Sequence, residues 1–204
     1  MSRPIVRVVK IGGSLLDFAD LPTELCKWRD AQRDGFNVFV AGGGALADAI
    51  RRMDNALQIG DVHAHWLCVR MMDVNARILS RLLNCEHITD FENLRQMQAT
   101  SQGASSYVLA VQQFLKDVEP TCGGKQLPQD WSVTSDSIAA RVAIALGADE
   151  LVLLKSALTD AQSLSEAVRH GYVDEYFATA ASRLPSIRCV NLRCPTFREM
   201  RFTC

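Results

Sequence analysis

Two glycine clusters follow short hydrophobic runs near the start of the chain. The first reads Lys10-Ile11-Gly12-Gly13-Ser14 and the second reads Gly42-Gly43-Gly44. Because glycine has no Cβ, an anion can approach the backbone N–H groups of such turns, and Lys10 adds positive charge beside the first. The second cluster precedes a predicted helix, whose unpaired N–H groups and positive dipole end favour an anion. The two clusters predict neighbouring sites for phosphate oxygens, although glycines before a helix are also typical of tight turns without a ligand.

A third polar segment, Thr134-Ser135-Asp136-Ser137, lies at another predicted strand-to-helix junction. Asp136 could simply cap the helix that follows. A carboxylate at this edge of a sheet could instead face Lys10 and orient cations. Phosphoryl transfer requires that arrangement, because it depends on positioning and on fixed positive charge around the transferring group.

The elements that position these residues follow from hydrophobic periodicity. The predicted strands are residues 4–11, 36–41, 106–111, 151–154 and 187–192. The predicted helices are residues 21–33, which Gly35 ends, 45–52, 61–83, 137–146, which Gly147 ends, and 164–170. Residues 117–130 are predicted to form a loop. Strands separated by helices indicate an α/β fold with a mostly parallel sheet covered on both faces, and ligands bind at the carboxyl ends of such strands.

The helix at residues 61–83 is the longest in this prediction. Its apolar residues recur at spacings of three and four, which predicts that they form the buried face. These residues are Leu67, Met71, Val74, Ile78 and Leu82. The predicted opposite face is charged and carries Arg70, Asp73, Arg77 and Arg81.

Composition limits the classes of protein that the chain can belong to. Its 204 residues predict a single domain over residues 1–204, and a net charge of −1 argues against a protein that binds nucleic acid through bulk charge. No apolar run approaches the roughly 18 residues of a membrane helix, so we expect a cytoplasmic protein without a membrane partner. The seven cysteines include no C-x-x-C pair, which favours free thiols over a disulfide framework or a zinc site. These cysteines are Cys26, Cys68, Cys85, Cys122, Cys189, Cys194 and Cys204.

The two glycine clusters, Thr134-Ser135-Asp136-Ser137-Ile138-Ala139-Ala140 and Leu151-Val152-Leu153-Leu154 resemble the amino acid kinase family in order and spacing. The resemblance spans about residues 5–155. It implies a three-layer αβα sandwich, a homodimer, and transfer of the γ-phosphoryl group of ATP, with Mg²⁺, to a carboxylate, carbamate or phosphate oxygen of a small molecule. No residue of the chain is assigned as a metal ligand.

The resemblance also implies roles for individual residues. Lys10 would hold the transferring phosphoryl group, and Asp136 would organise the catalytic lysines. The ATP phosphates would be bound by Gly12, Gly13, Ser14, Thr134 and Ser135. The acceptor would be bound by Gly42, Gly43 and Gly44.

The chain departs from the family pattern after residue 154. Family members continue with Thr-Asp-x-x-Gly and later carry a Gly-Met-x-x-Lys segment, whose lysine is a second phosphate clamp. This chain reads Lys155-Ser156-Ala157-Leu158. We interpret Lys155 either as a replacement for that second catalytic cation or as a solvated lysine after a strand. The departure also keeps open a non-catalytic module that binds a nucleotide or metabolite in a regulatory role.

The Trp131-x-x-Thr134-Ser135-Asp136-Ser137 stretch and the His65-Trp66 pair resemble a short branch of the family. That branch contains the aminomethylfuran-methyl phosphate kinase of methanofuran synthesis, and its acceptor is itself a phosphate. Arg70, Arg77 and His65, on the long helix, could meet such an acceptor phosphate. A polar stripe that is solvated or faces a second subunit would explain the same pattern.

Overall fold

A computed structural model describes residues 3–32 and 35–202 of the chain. Seven strands form one sheet in the order β3-β4-β2-β1-β5-β6-β7. Every neighbouring pair is parallel except β6 and β7. The strands are β1 (Ile5–Ile11), β2 (Gly35–Ala41), β3 (Glu86–Ile88), β4 (Ser105–Leu109), β5 (Glu150–Lys155), β6 (Ile187–Asn191) and β7 (Glu199–Phe202).

Helices cover both faces of the sheet. They are α1 (Leu21–Ala31), α2 (Gly44–Leu57), α3 (Asp61–Leu83), α4 (Phe91–Thr100), α5 (Val111–Gln113), α6 (Ser135–Leu146), α7 (Leu164–Arg169) and α8 (Phe177–Ala180). Further helical turns follow α5 at Phe114–Val118 and Glu119–Thr121. The central strands are buried on both faces, as their continuous apolar runs predict. The α/β prediction with a mostly parallel sheet is confirmed.

Successive residues of β1 point into two different hydrophobic cores. Val8 belongs to a core shared with α4 and α6, whereas Val9 belongs to a core shared with α1 and the second half of α3. This alternation follows from the period of two along a strand. It gives the three layers of helices, sheet and helices.

Several predicted boundaries differ from the structure. Gly35 does not end α1 but begins β2, and residue 33, the predicted last residue of that helix, lies outside the described residues. The predicted loop at residues 117–130 begins with helical turns up to Thr121. The strands β3 and β7 and the helices α4 and α8 were not predicted, because each is short or only weakly periodic. Gly147 ends α6 with φ of 60°, as expected of a residue that closes a helix.

The predicted buried face of α3 is wrong. Val74 and Ile78 are 43% and 50% exposed. The buried face includes apolar residues but also His65 and Asn75, which are polar. Because both faces of α3 carry apolar residues, spacing alone did not identify the face that meets the sheet.

No helix in the described part of the chain is long and apolar enough to cross a membrane.

Candidate active site

The two glycine turns lie against each other at the carboxyl ends of β1 and β2. The backbone N–H of Gly42 donates to the carbonyl of Ile11 at 2.9 Å. A Cβ at Gly13 would lie 2.7 Å from the nitrogen of Gly44, and one at Gly42 would lie 2.7 Å from the nitrogen of Gly13. Such distances leave no room for a side chain. The glycines are therefore required for the close approach of the two turns, and Gly44 also has φ of +54°.

A buried amide from α3 holds the second glycine turn in place. Asn75 Nδ2 donates to the carbonyl of Gly42 at 2.8 Å and to that of Gly43 at 2.9 Å. These bonds satisfy two carbonyl groups of the turn. Asn75 was not predicted as a site residue. Its only signal in the sequence was a polar side chain on a helix that packs against the sheet.

Asp136 lies between two lysines. Its Oδ1 is 2.8 Å from Lys10 Nζ, and its Oδ2 accepts a hydrogen bond from Lys155 Nζ at 2.7 Å. The side chains of Lys10 and Asp136 are each 5% exposed. Lys155 also donates to the carbonyl of Tyr172 at 2.8 Å and lies over the ring of that residue. Lys155 is thus fixed beside Asp136 and is not a freely solvated lysine.

Burial and charge act in opposite directions on the pKa values of this cluster. Burial would raise the pKa of Asp136, but the Lys10 and Lys155 ammonium groups outweigh that effect and lower it to about 2. Burial lowers the pKa of Lys10, and the Asp136 carboxylate offsets part of that change. Asp136 is consequently ionised at neutral pH and holds both cations by charge.

A second carboxylate, Asp174, holds the start of α6. It accepts hydrogen bonds from the backbone N–H groups of Thr134 and Ser137, both at 3.0 Å, and from the Thr134 hydroxyl at 2.8 Å. The Ser137 hydroxyl also donates to it. Burial raises the pKa of Asp174, and the bonds from Ser137 offset part of that rise. Asp174 therefore caps α6 from a distant loop and positions the segment that carries Asp136.

A cavity of about 310 Å³ opens beside the glycine turns. Gly13, Ser14, Gly43 and Gly44 line it, together with Thr134 and Ser135 at the start of α6. The remaining wall includes His65, Cys68, Arg51 and Trp131. The predicted phosphate turns and the first residues of α6 thus meet around one space.

The predicted site residues differ in their positions around this cavity. Gly12 and Gly42 are buried behind it. Thr134 and Ser135 both line the cavity. The N–H and the hydroxyl of Thr134 donate to Asp174, whereas the hydroxyl of Ser135 has no partner among the described residues. Arg70 is exposed on α3 and does not line the cavity. Its predicted contact with the acceptor is not supported by this placement.

Arg51 and Trp131 line the cavity although the sequence analysis assigned neither of them to the site. Arg51 lies seven residues after Gly44 on α2, so both residues face the same side of the helix. That spacing was the one available signal for Arg51. Trp131 comes from an irregular segment, where no periodicity predicts which way a side chain points.

The His65 and Cys68 side chains, which line one part of the cavity, are uncharged at neutral pH. Burial lowers the pKa of His65, and its interaction with the Asp130 carbonyl offsets this in part. Burial raises the pKa of the Cys68 thiol to about 11. An apolar portion of a ligand can therefore occupy this part of the cavity.

Within residues 3–32 and 35–202, no three His, Cys, Asp or Glu side chains form a group that could hold a metal ion. The six cysteines in this part of the chain are free, and Cys204 lies outside it.

Comparison with known proteins adds to this geometry. The model of the amino acid kinase family matches residues 6–157. A curated relative from Methanocaldococcus jannaschii, named (5-(aminomethyl)furan-3-yl)methyl phosphate kinase, is 23% identical over 148 residues. The match covers 72% of this chain and 64% of that relative, less than two thirds of its length.

Solved structures show the same fold. A UMP kinase from Ureaplasma parvum has a TM-score of 0.70 at 15% identity and covers 99% of this chain and 100% of its own. A uridylate kinase from Archaeoglobus fulgidus has a TM-score of 0.61 at 17% identity and covers 91% and 89%. Because the family model matches most of its length, the chain belongs to the amino acid kinase family.

Proposed function

We propose that this protein is a kinase that transfers the γ-phosphoryl group of ATP to a small anionic acceptor. The observation that carries the proposal is the buried cluster of Lys10, Asp136 and Lys155 beside the first glycine turn, where Lys155 lies next to Gly12. Two cations and one anion leave this cluster with a surplus of positive charge. A transferring phosphoryl group would supply the missing negative charge, and its stabilisation is the main task of an enzyme in this reaction.

The chemistry requires no covalent enzyme intermediate. An acceptor oxygen attacks the γ-phosphorus, the bond from that phosphorus to the bridging oxygen breaks, and ADP leaves with the electron pair. Lys10 and Lys155 neutralise charge on the transferring group. Asp136 positions both ammonium groups and is not a general base, because cations lie against both of its oxygens. Mg²⁺ is part of the nucleotide substrate, since in kinase sites it is bound largely by phosphate oxygens.

Lys155 takes the role of the second phosphate clamp in this proposal. The family match ends at residue 157, two residues after Lys155, and the chain lacks the later lysine segment of the family. Lys155, at the end of β5, donates to Asp136 Oδ2, the oxygen that Lys10 does not contact. The strand β5 lies beside β1. The two lysines therefore approach one carboxylate from neighbouring strands. A cation supplied by the end of β5 makes a distant clamp unnecessary.

For the acceptor we propose a phosphate monoester, with a diphosphate as the product. The named substrate of the Methanocaldococcus jannaschii relative, an aminomethylfuran-methyl phosphate, is of this kind and supports the assignment. The cavity of about 310 Å³ is large enough for such a molecule with its phosphate at Gly13 and Gly44. A furan-methyl phosphate used in the synthesis of a one-carbon cofactor is the specific acceptor that we propose.

We further propose a homodimer in the cytoplasm. Exposed apolar residues lie along α2 and α3, and covering such a patch is the usual role of a second subunit. These residues are Leu46, Met53, Leu57, Val62, Val74 and Ile78. The six free cysteines are typical of a reducing compartment.

A thermal-shift titration with MgATP, followed by a transfer assay, tests the proposed function. MgATP at a hundred times its Kd should stabilise the protein by roughly 2.7 kcal/mol. Lys10→Met and Lys155→Met should each lower kcat by about 100-fold or more, because each removes a charge that stabilises the transition state. Lys125→Met, at an exposed position, is the matched control.

Two outcomes would contradict the proposal, one its kinase activity and the other only the role of Lys155. Binding of MgATP without transfer to any phosphate or carboxylate acceptor would indicate the non-catalytic module instead. Undiminished turnover in Lys155→Met would remove that residue from the site while leaving Lys10 and the kinase in place.

A further inference from the structure

We infer, on the basis of the proposed function, that Arg51 and Trp131 select acceptors whose phosphate is attached to a flat, unsaturated ring. These two residues form a wall of the cavity at a distance from the glycine turns. We name them the Arg51–Trp131 wall. They are specificity-determining residues in this inference and take no part in the transfer step.

The geometry of α2 places the wall at the far end of the acceptor. Gly44, Asp48 and Arg51 are four and three residues apart, so they lie on one face of the helix, and all three line the cavity. With a rise of about 1.5 Å per residue, Arg51 lies about 10 Å along the helix axis from Gly44. A phosphate at Gly44 therefore leaves room for one small ring before the ligand reaches the wall.

Trp131 is held in a fixed orientation by two contacts. Its Nε1 donates to Asp54 Oδ2 at 2.7 Å, and the Arg51 guanidinium lies 4.7 Å from the centre of its ring. Asp54 is buried, and its other oxygen accepts the Gly60 N–H at 3.1 Å. The carboxylate thus connects the turn between α2 and α3 to the indole.

The surfaces of the wall favour a planar partner. Indole and guanidinium groups are both flat, and both stack on unsaturated rings. The floor of the cavity is formed by the apolar residues Val69, Met72 and Ile138. A saturated body of the same size would gain the same burial on this floor but would not stack. The wall therefore favours a flat ring, and His65 is the other flat side chain that lines the cavity within the described residues.

Trp66 provides a matched control for Trp131. Its Nε1 donates to Gln129 Oε1 at 2.9 Å, so it contacts the same irregular segment that carries Trp131. Trp66 does not line the cavity. If a substitution affects ligand binding only because it loosens this segment, substitutions of Trp66 and of Trp131 should both change the affinity for the ligand.

Calorimetric titration without nucleotide tests the inference, with benzyl phosphate and cyclohexylmethyl phosphate as probes. The two ligands carry the same charge and have similar size, but only the first is flat. We expect the wild-type protein to bind benzyl phosphate about three- to tenfold more tightly. Trp131→Leu and Arg51→Met should each reduce this ratio towards one. Asp54→Ala should reduce it in part, because the indole stays but loses its fixed orientation, and Trp66→Leu should leave it unchanged.

Equal affinities in the wild-type protein, or no binding of either probe at millimolar concentration, would overturn the inference. An unchanged affinity ratio in Trp131→Leu or in Arg51→Met would also overturn the inference. If Trp131→Leu does not fold, Arg51→Met decides alone, because Arg51 is exposed enough to tolerate the change. The proposed function is tested separately by MgATP binding and transfer. A ring preference without transfer would contradict the kinase alone, and transfer without a ring preference would contradict only the wall.

Discussion

Asp136 is a carboxylate whose surroundings fit a functional role better than a stabilising one. A buried ion pair is weak evidence for stability, because the cost of removing charges from water offsets their attraction. Here one anion faces two cations, Lys10 and Lys155, and all three lie at the carboxyl ends of strands or the start of a helix. These three groups carry one surplus positive charge, and the nearby Asp174 carboxylate, which also acts on Lys10, is held by Thr134 and Ser137. A negatively charged ligand that balances the three groups is what the proposed function requires.

The pH dependence of stability should report on Asp136. Its folded pKa of about 2 lies below the ordinary value, so its ionisation stabilises the fold at neutral pH, and that contribution disappears as pH falls from about 4 to 2. We expect Asp136→Asn to be less stable than the wild type by about 2 kcal/mol at pH 6, with a smaller difference at pH 3. Urea denaturation at several pH values measures this.

The exposed carboxylate Asp117, changed to asparagine, is the control for that experiment. A stability difference between Asp136→Asn and the wild type that stays constant from pH 6 to pH 3 would show that the ion pairs do not depress the pKa of Asp136.

At the scale of elements, the start of α6 depends on a residue far along the chain. A helix leaves its first N–H groups without partners, and a side chain close in sequence usually binds them. The Thr134 side chain reaches the Asp136 N–H at 3.5 Å, at the limit of a hydrogen bond. Asp174 supplies the stronger contacts to Thr134 and Ser137. The loop before α8 therefore determines where Asp136 is held.

Asp174→Ala should destabilise the fold and also impair the site. Loss of a helix cap costs about 1–2 kcal/mol, which chemical denaturation measures. Because Asp136 begins the helix that Asp174 holds, we expect kcat for phosphoryl transfer to fall as well, with KM for MgATP changing less. Glu175→Ala, an exposed neighbour, should alter neither quantity. A stable Asp174→Ala variant with wild-type kcat would contradict the positioning role.

For the whole molecule, α3 serves two surfaces. Its buried face carries Asn75 to the second glycine turn, and its exposed face carries Val74 and Ile78. An apolar stripe on each face explains why the periodicity of α3 identified a helix but not its orientation. Val74 and Ile78 are exposed in the described part of the chain. In the proposed dimer, the second subunit would cover them.

A charged residue in the exposed stripe should separate the proposed dimer. We expect wild-type protein to have the mass of a dimer by light scattering, and Ile78→Glu to have that of a monomer, because burial of a carboxylate at an apolar interface is unfavourable. Gln96→Glu on α4 introduces the same charge at an exposed position elsewhere and should leave the mass unchanged. A monomeric wild-type protein would contradict the homodimer.

The α/β alternation, the glycine turns at the ends of strands and Asp136 at the start of a helix were all predictable from the sequence. These features are local, because β-branched runs, helical spacing and glycine turns act over a few residues. The strand predicted before that helix is an irregular segment in the structure. The meeting of Lys10 with Asp136 was also predicted, since ligand sites of parallel sheets form at the carboxyl ends of the strands, where helices begin. Placing Lys155 against Asp136 needed more, because a lysine after a strand can equally point into water.

Only the tertiary structure decided which side chains complete the site. Asn75, Asp174 and Trp131 act through contacts with segments more than 30 residues away, and no local pattern encodes those contacts. The same holds for the face of α3 and for Arg70, whose position depends on how the helix is turned against the sheet. Periodicity leaves several orientations of a helix or side chain open. Packing selects one of them, because only packing depends on the shape and charge of the neighbouring elements.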